Sequence, residues 1–183
     1  PESDKIFVDK RNAIHYENMS VALAESVANQ GQGFINSMSF GNGGTSVDPT
    51  GIITYLTPNS TGTNATLYNQ TYTKIVDDRS VSNLDPQRNK IETRHINGTN
   101  YTDVVVTCLL DYGEPNGRDA VDTASVSDSL YVFDELGLVS YSPSGTGKLL
   151  THVIFHPVQK SLNRLIQIDY TVRVQSLTGF NEG

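Results

Sequence analysis

The chain has 183 residues, of which 37% are apolar and 18% charged, and its net charge is −7. That length suits one domain that buries a core without disulfide staples. The acidic balance, with no basic run longer than Lys10-Arg11, argues against a nucleic-acid surface, which needs clustered cations. No apolar run reaches membrane-spanning length.

Residues 1–12 are polar around the apolar island Ile6-Phe7-Val8. This predicts an extended arm that pairs as an edge strand or docks on a neighbour. Pro1 fits removal of an initiator Met or a processing cut, and no secretory leader is visible, so synthesis inside a cell is expected. The organisation predicted is an arm over 1–17, a single β-rich domain over 18–176 and a tail over 177–183.

One helix follows the arm. Ser20 is its predicted N-cap, Met19, Leu23 and Val27 recur at four-residue spacing, and Gly31 stands where a left-handed C-terminal glycine belongs. Residues 34–40 then read as a strand, with Phe34, Asn36, Met38 and Phe40 on one face. Gly41-Asn42-Gly43-Gly44 predicts a tight turn with positive φ. A phosphate cradle would need a helix N-terminus after it, and Thr45-Ser46-Val47-Asp48-Pro49 follows instead.

Residues 51–56 form a short strand, 58–66 a Ser/Thr/Asn/Gly loop, and 67–76 a strand with Tyr68 and Tyr72 on one face. After a loop over 77–88, strands over 91–96 and 101–110 flank the hairpin signal Asn97-Gly98. Val104 to Leu110 is apolar on both faces, which marks a central strand. Residues 111–129 make a long loop that is either functional or holds a short turn of helix. Strands over 130–138, 149–155 and 165–175 complete the set, with 156–163 linking the last two. Gly145-Thr146-Gly147-Lys148 lacks the Walker spacing and reads as a hairpin turn. The last strand alternates cleanly: Ile166, Ile168, Tyr170, Val172 and Val174 against Gln167, Asp169, Thr171, Arg173 and Gln175. The fold class is therefore β-rich α+β: about eight mostly antiparallel strands in a sandwich or rolled sheet, with one N-terminal helix packed on it.

Chemistry-bearing residues are few. Cys108 is the single cysteine, inside an apolar strand, and reads as a small buried hydrophobe. Seven carboxylates between Asp111 and Glu135 surround one cation, Arg118. They read as a solvated, self-repelling loop, or else as a Ca²⁺ site or docking patch, though without EF-hand spacing. His152 and His156, with Ile154, share a face in the expected strand. They are a structural contact or two metal ligands, with Asp169 or Asp103 as a third. Asp134-Glu135 reads as a strand-end acidic pair, exposed or bonded to loop amides. Gly-x-Ser-x-Gly is absent and no Trp exists for sugar stacking. Six Asn-x-Ser/Thr triplets, at Asn18, Asn59, Asn64, Asn69, Asn97 and Asn100, are assigned to turn chemistry. No cofactor or catalytic residue is indicated.

The helix with Ala22, Ala24 and Ala28, the run Phe34-x-x-x-Met38-x-Phe40-Gly41-Asn42-Gly43-Gly44, and the later Phe133-Asp134-Glu135-Leu136-Gly137-Leu138 occur in an order that resembles the N-terminal domain of phage tail-collar and tail-fibre proteins. The resemblance spans most of residues 18–175, with Leu149 to Gln175 as a closing hairpin. No shaft repeats or receptor-binding tip lie within the chain, which fits a stand-alone tail or baseplate component. The resemblance implies a non-enzymatic virion protein, made in the host cytoplasm, that assembles with copies of itself and docks onto other tail or baseplate proteins. Neither nucleic acid nor membrane is an expected partner. Ile6, Phe7, Val8, Tyr112 and Arg118 are the expected contact residues. The alternatives are a head decoration or neck protein, or a carbohydrate-binding module using Tyr68, Tyr72 or Tyr170.

Overall fold

The period-two alternation of the last strand is realised in β10 (Ile166–Gln175): Tyr170 and Val172 are buried, while Gln167, Asp169, Thr171, Arg173 and Gln175 are exposed. A computed structural model describes residues 13–115 and 130–177. Among these, the elements run β1 (Ala13–Ile14), α1 (Tyr16–Val27), β2 (Ile35–Gly41), β3 (Thr45–Val47), β4 (Ile53–Tyr55), β5 (Gln70–Ile75), β6 (Lys90–His95), β7 (Tyr101–Leu110), β8 (Leu130–Ser140), β9 (Thr151–Ser161) and β10. The β-rich α+β class is as the sequence predicts, with ten strands rather than eight among the described residues.

Two antiparallel sheets share one core. The larger has the order β1-β9-β8-β2-β5 and the smaller β10-β7-β6, while β3 and β4 pair as a separate hairpin. Met38 and Phe40 of β2, Tyr131, Phe133, Leu136 and Leu138 of β8 and Phe155 of β9 meet Val106, Cys108 and Leu110 of β7 and Tyr170 and Val172 of β10. The apolar run in β7 makes it central, as expected, paired with β6 on one side and β10 on the other. The Asn97-Gly98 hairpin forms, with Gly98 at φ 89°. β9 and β10 do not make a closing hairpin. They lie in different sheets, β9 against β8 and β10 against β7. The link between them is short because β9 continues through His156 and Pro157 to Ser161.

The helix begins earlier than the predicted N-cap, Ser20. His15 is the N-cap, its Nδ1 accepting from the Asn18 amide at 3.1 Å. The other nitrogen, Nε2, therefore carries the proton and donates to the Gly62 carbonyl at 2.7 Å. Ser20 lies inside the helix and donates to the Glu17 carbonyl. Asn18 is buried and donates to the Leu149 carbonyl at 2.9 Å. That polar anchor rotates the helix, so Asn18 and Ala22 are its buried residues while Leu23 and Val27 face solvent. Asn29 (φ 55°) supplies the first left-handed residue after the helix, with Gly31 (φ 72°) two positions on. Ala13 and Ile14, within the expected arm, already pair with β9.

A bulge where β8 pairs with β9, its extra residues on β9, sets the positions of the main acidic groups. Pairing with β9 jumps from Phe133↔Val158 to Glu135↔Ile154. Below the jump Tyr131 and Phe133 face the core; above it Leu136 and Leu138 do. Asp134 and Glu135 are left side by side at the switch, re-aimed out of the alternation, which is the usual effect of a bulge. The same jump separates the two histidines of β9: His152 is fully buried and His156 is exposed.

Candidate functional site

The densest polar chemistry lies where residues 42–69 cover this bulge. Glu135 accepts from the amides of Asn69 (2.8 Å), Tyr68 (3.0 Å) and Gly43 (3.3 Å), and its Oε2 meets Nε2 of His152 at 2.8 Å. Asn59 donates its amide to Nδ1 of His152 at 2.8 Å. An accepting Nδ1 carries no proton, so Nε2 bears it and donates to Glu135. Next door, Asp134 accepts from the amides of Gly44 (2.9 Å) and Thr45 (3.0 Å) and from the Thr45 hydroxyl.

The glycine run therefore does cradle anions, and they are the chain's own carboxylates. None of Gly41, Gly43 and Gly44 has positive φ, so the expected tight turn is not the reason for them. Their role is close approach. A Cβ on Gly41 would fall 2.5 Å from Glu135 Oε1, and one on Gly43 2.8 Å from the Asn69 nitrogen. Asp134 and Glu135 bond to loop amides, one of the two expected arrangements. They sit in mid-strand, buried, and not at an exposed strand end. Burial pushes the Glu135 carboxyl up, but the His152, Asn69 and Tyr68 donors outweigh it and hold it below the usual carboxylate range. Glu135 and His152 are both closed to solvent. The pair is a fastener for the 42–69 cover and offers no reactive atom to a substrate.

A second cluster holds the start of the acidic loop. Lys74 reaches from β5 to the Leu109 carbonyl of the other sheet and pairs with Glu114 at 2.6 Å. Glu114 also takes the Tyr72 hydroxyl at 2.8 Å and the Asp111 amide at 3.1 Å. Burial pushes its carboxyl up; Lys74 and Tyr72 more than offset this and keep it below the ordinary value. Arg88 bonds Asp111 at 2.8 Å. Lys160, fully buried, donates to the carbonyls of Asp111 and Ser161, both at 2.9 Å.

Of the expected contact residues, Tyr112 is exposed at this clamped base. Ile6, Phe7, Val8 and Arg118 lie outside the described residues. The structure does not bring His152, His156, Asp103 and Asp169 together as ligands, and no metal-holding cluster occurs among the described residues. Asp103 instead takes Nε of Arg173 at 2.8 Å. Tyr68, Tyr72 and Tyr170 are not equally open: Tyr170 is buried, Tyr72 is half-buried, packs against the core and bonds Glu114, and Tyr68 is exposed. Asn18 cannot carry a glycan, since it is inside. Asn59 and Asn100 spend their side-chain amides on the carbonyls of Thr66 and Ser176, 7 and 76 residues away, so these bonds tie segments together and are not the turn chemistry expected of them.

Two depressions mark the surface. One, of about 390 Å³, is a polar trough on the outer face of β10-β7-β6, lined by Lys90, Glu92, Arg94, Thr107, Asp169 and Thr171 among others. The other, of about 670 Å³, is an apolar groove between α1 and the inner face of the same sheet, with Leu23, Phe34, Val104, Val172 and Val174 on its walls. The groove is invisible to the sequence pattern, because it exists only where the rotated helix fails to cover inward-facing valines. Compared with known families and with curated proteins, the chain matches no family model and no curated sequence.

Proposed function

We propose that this chain is a non-enzymatic structural component of a tailed-phage particle, in the tail or baseplate, that assembles with copies of itself and docks onto other virion proteins. What carries the reading is the division of labour between inside and outside. The closest carboxylate–imidazole pair, Glu135 and His152, is sealed under the 42–69 segment. Large apolar side chains are left at the surface instead: Val27, Val81, Leu84 and Leu177 are each more than four-fifths exposed. Beside them the groove along α1, walled by Leu23, Phe34, Val104 and Val174, is a contiguous apolar surface of the kind that marks contact with other macromolecules. The resemblance to tail-collar and tail-fibre domains supplies the particle.

An antibody against the purified chain tests the reading on phage particles by immunogold electron microscopy. Gold at the tail or baseplate is the expected result. Gold at the head or neck would move the protein to the head decoration or neck class. Absence from particles, with the protein free in the lysate, would overturn the reading.

A further inference from the structure

We propose that β10 is a self-association edge, pairing antiparallel with β10 of a second copy across a two-fold axis centred on Thr171. This rests on the proposed self-assembly and names the surface that performs it.

The strand is the outermost member of its sheet among the described residues. Its register against β7 runs without a shift from Ile166↔Leu110 to Gln175↔Tyr101. It contains no proline, no lysine and no bulge, the devices by which edge strands are kept from pairing. The opposite edge of the same sheet, β6, has six residues and carries Lys90, Glu92 and Arg94. A ten-residue outermost strand in unbroken register is a template for another strand.

The occupant is identified by the sequence of the strand. Gln167-Ile168-Asp169-Tyr170-Thr171-Val172-Arg173-Val174-Gln175 is self-complementary about its middle. With Thr171 opposite Thr171, Asp169 faces Arg173 twice, Gln167 faces Gln175 twice, and on the core side Ile168 meets Val174 and Tyr170 meets Val172. Facing pairs of opposite charge stabilise a sheet and like charges destabilise it. Other two-fold registers lack this match. Centring on Tyr170 leaves both charges opposite neutral residues, and centring on Asp169 or Arg173 sets like charges together. Arg173 is already held in place, bonded to Asp103 at 2.8 and 3.2 Å with its guanidinium 3.9 Å over the Tyr101 ring. The second copy's Asp169 reaches this guanidinium from the side away from β7 and shares it with Asp103. Val174, two-fifths exposed in the single chain, gains an apolar neighbour. The interface is isologous and closes as a dimer.

The test uses the full chain with single cysteines. Facing residues of an antiparallel pair have Cα atoms about 4.5–5.5 Å apart, within reach of a disulfide, so Thr171→Cys crosslinks to its own copy under mild oxidation. Gln167→Cys is the control, because the two copies of that residue stand about 27 Å apart in this register. The native Cys108 is buried and takes no part. A covalent dimer from Thr171→Cys and none from Gln167→Cys is the expected result. Equal crosslinking by both would overturn the register. An oligomer that neither variant crosslinks would overturn the β10 edge while leaving self-assembly standing. A chain that stays monomeric would overturn both. Asp169→Lys, which sets like charges together, weakens association by roughly tenfold or more; unchanged association of the folded variant would also overturn the proposal.

Discussion

His152 donates its Nε2 proton to Glu135 at 2.8 Å, in a place where neither side chain touches solvent. The tautomer is set from behind by the Asn59 amide, so the pair has one arrangement open to it. Glu135 is also the acceptor for both backbone amides that bring residues 68 and 69 down onto the sheet. The 68–69 end of the cover thus depends on one carboxylate, while Asp134 holds Gly44 and Thr45.

Replacing that carboxylate with its amide tests the dependence. In Glu135→Gln, a side-chain NH2 faces either the His152 N–H and the Tyr68 amide or the amides of Asn69 and Gly43, and no flip removes the donor–donor conflict. Breaking charged hydrogen bonds in the interior costs about 2–4 kcal/mol. Urea unfolding of the purified variant should show that loss; a change below about 0.5 kcal/mol would mean the pair is incidental.

The same group makes acid stability specific. Glu135 is held below its usual range in the folded chain. Between that depressed value and the ordinary value of about 4.3, the unfolded chain binds a proton that the folded chain does not. Stability therefore rises with pH through this window and is lost as pH falls through the folded value. Glu114 shares the sign. Urea midpoints measured from about pH 3 to about pH 7 should fall steeply in acid for the parent chain and less steeply for Glu135→Gln. Parallel curves would remove Glu135 from the account.

Gly41→Ala probes close approach without touching charge. The added methyl meets Glu135 Oε1 and, closer still, the Asn69 carbonyl, so the cover has to lift. Overpacking of this sort costs about 1–3 kcal/mol. Faster proteolysis within residues 42–69 is the expected readout. Gly62→Ala is the comparison: its added methyl meets nothing within 4 Å, although φ is 85° there, so any loss should come from backbone strain and leave the cover seated.

Much of the β architecture is legible in the sequence, because strands such as β10 and the β6–β7 hairpin carry their own signals in alternation and in Asn97-Gly98. What is not legible depends on contacts between distant segments. The β9 bulge opposite Asp134 accompanies a change of face in β8, and no local pattern announces it. It turns an expected strand-end acidic pair into a buried one and divides His152 from His156. The helix start is hidden for a similar reason. Met19, Leu23 and Val27 suggest one buried stripe, but the bond from Asn18 to Leu149, a residue 131 positions away, selects another. The glycine run has the composition of an anion cradle, but its anions come from residues 134 and 135, which local sequence does not reveal.

Cys108 offers an independent reporter of the core. It is fully buried in β7, and burial pushes its thiol up to about 12. A thiolate is needed for reaction, so the folded chain should resist thiol reagents at neutral pH and release a single reactive thiol on unfolding. Rapid labelling of the folded chain would place β7 at the surface and contradict its central position.

The most direct measurement of the central claim is sedimentation velocity of the full 183-residue chain over a range of concentrations. A protein whose surface is built to grip its copies should leave the 20.0 kDa monomer value and move to dimer or larger species as concentration rises. A single monomeric boundary at every concentration would contradict the account.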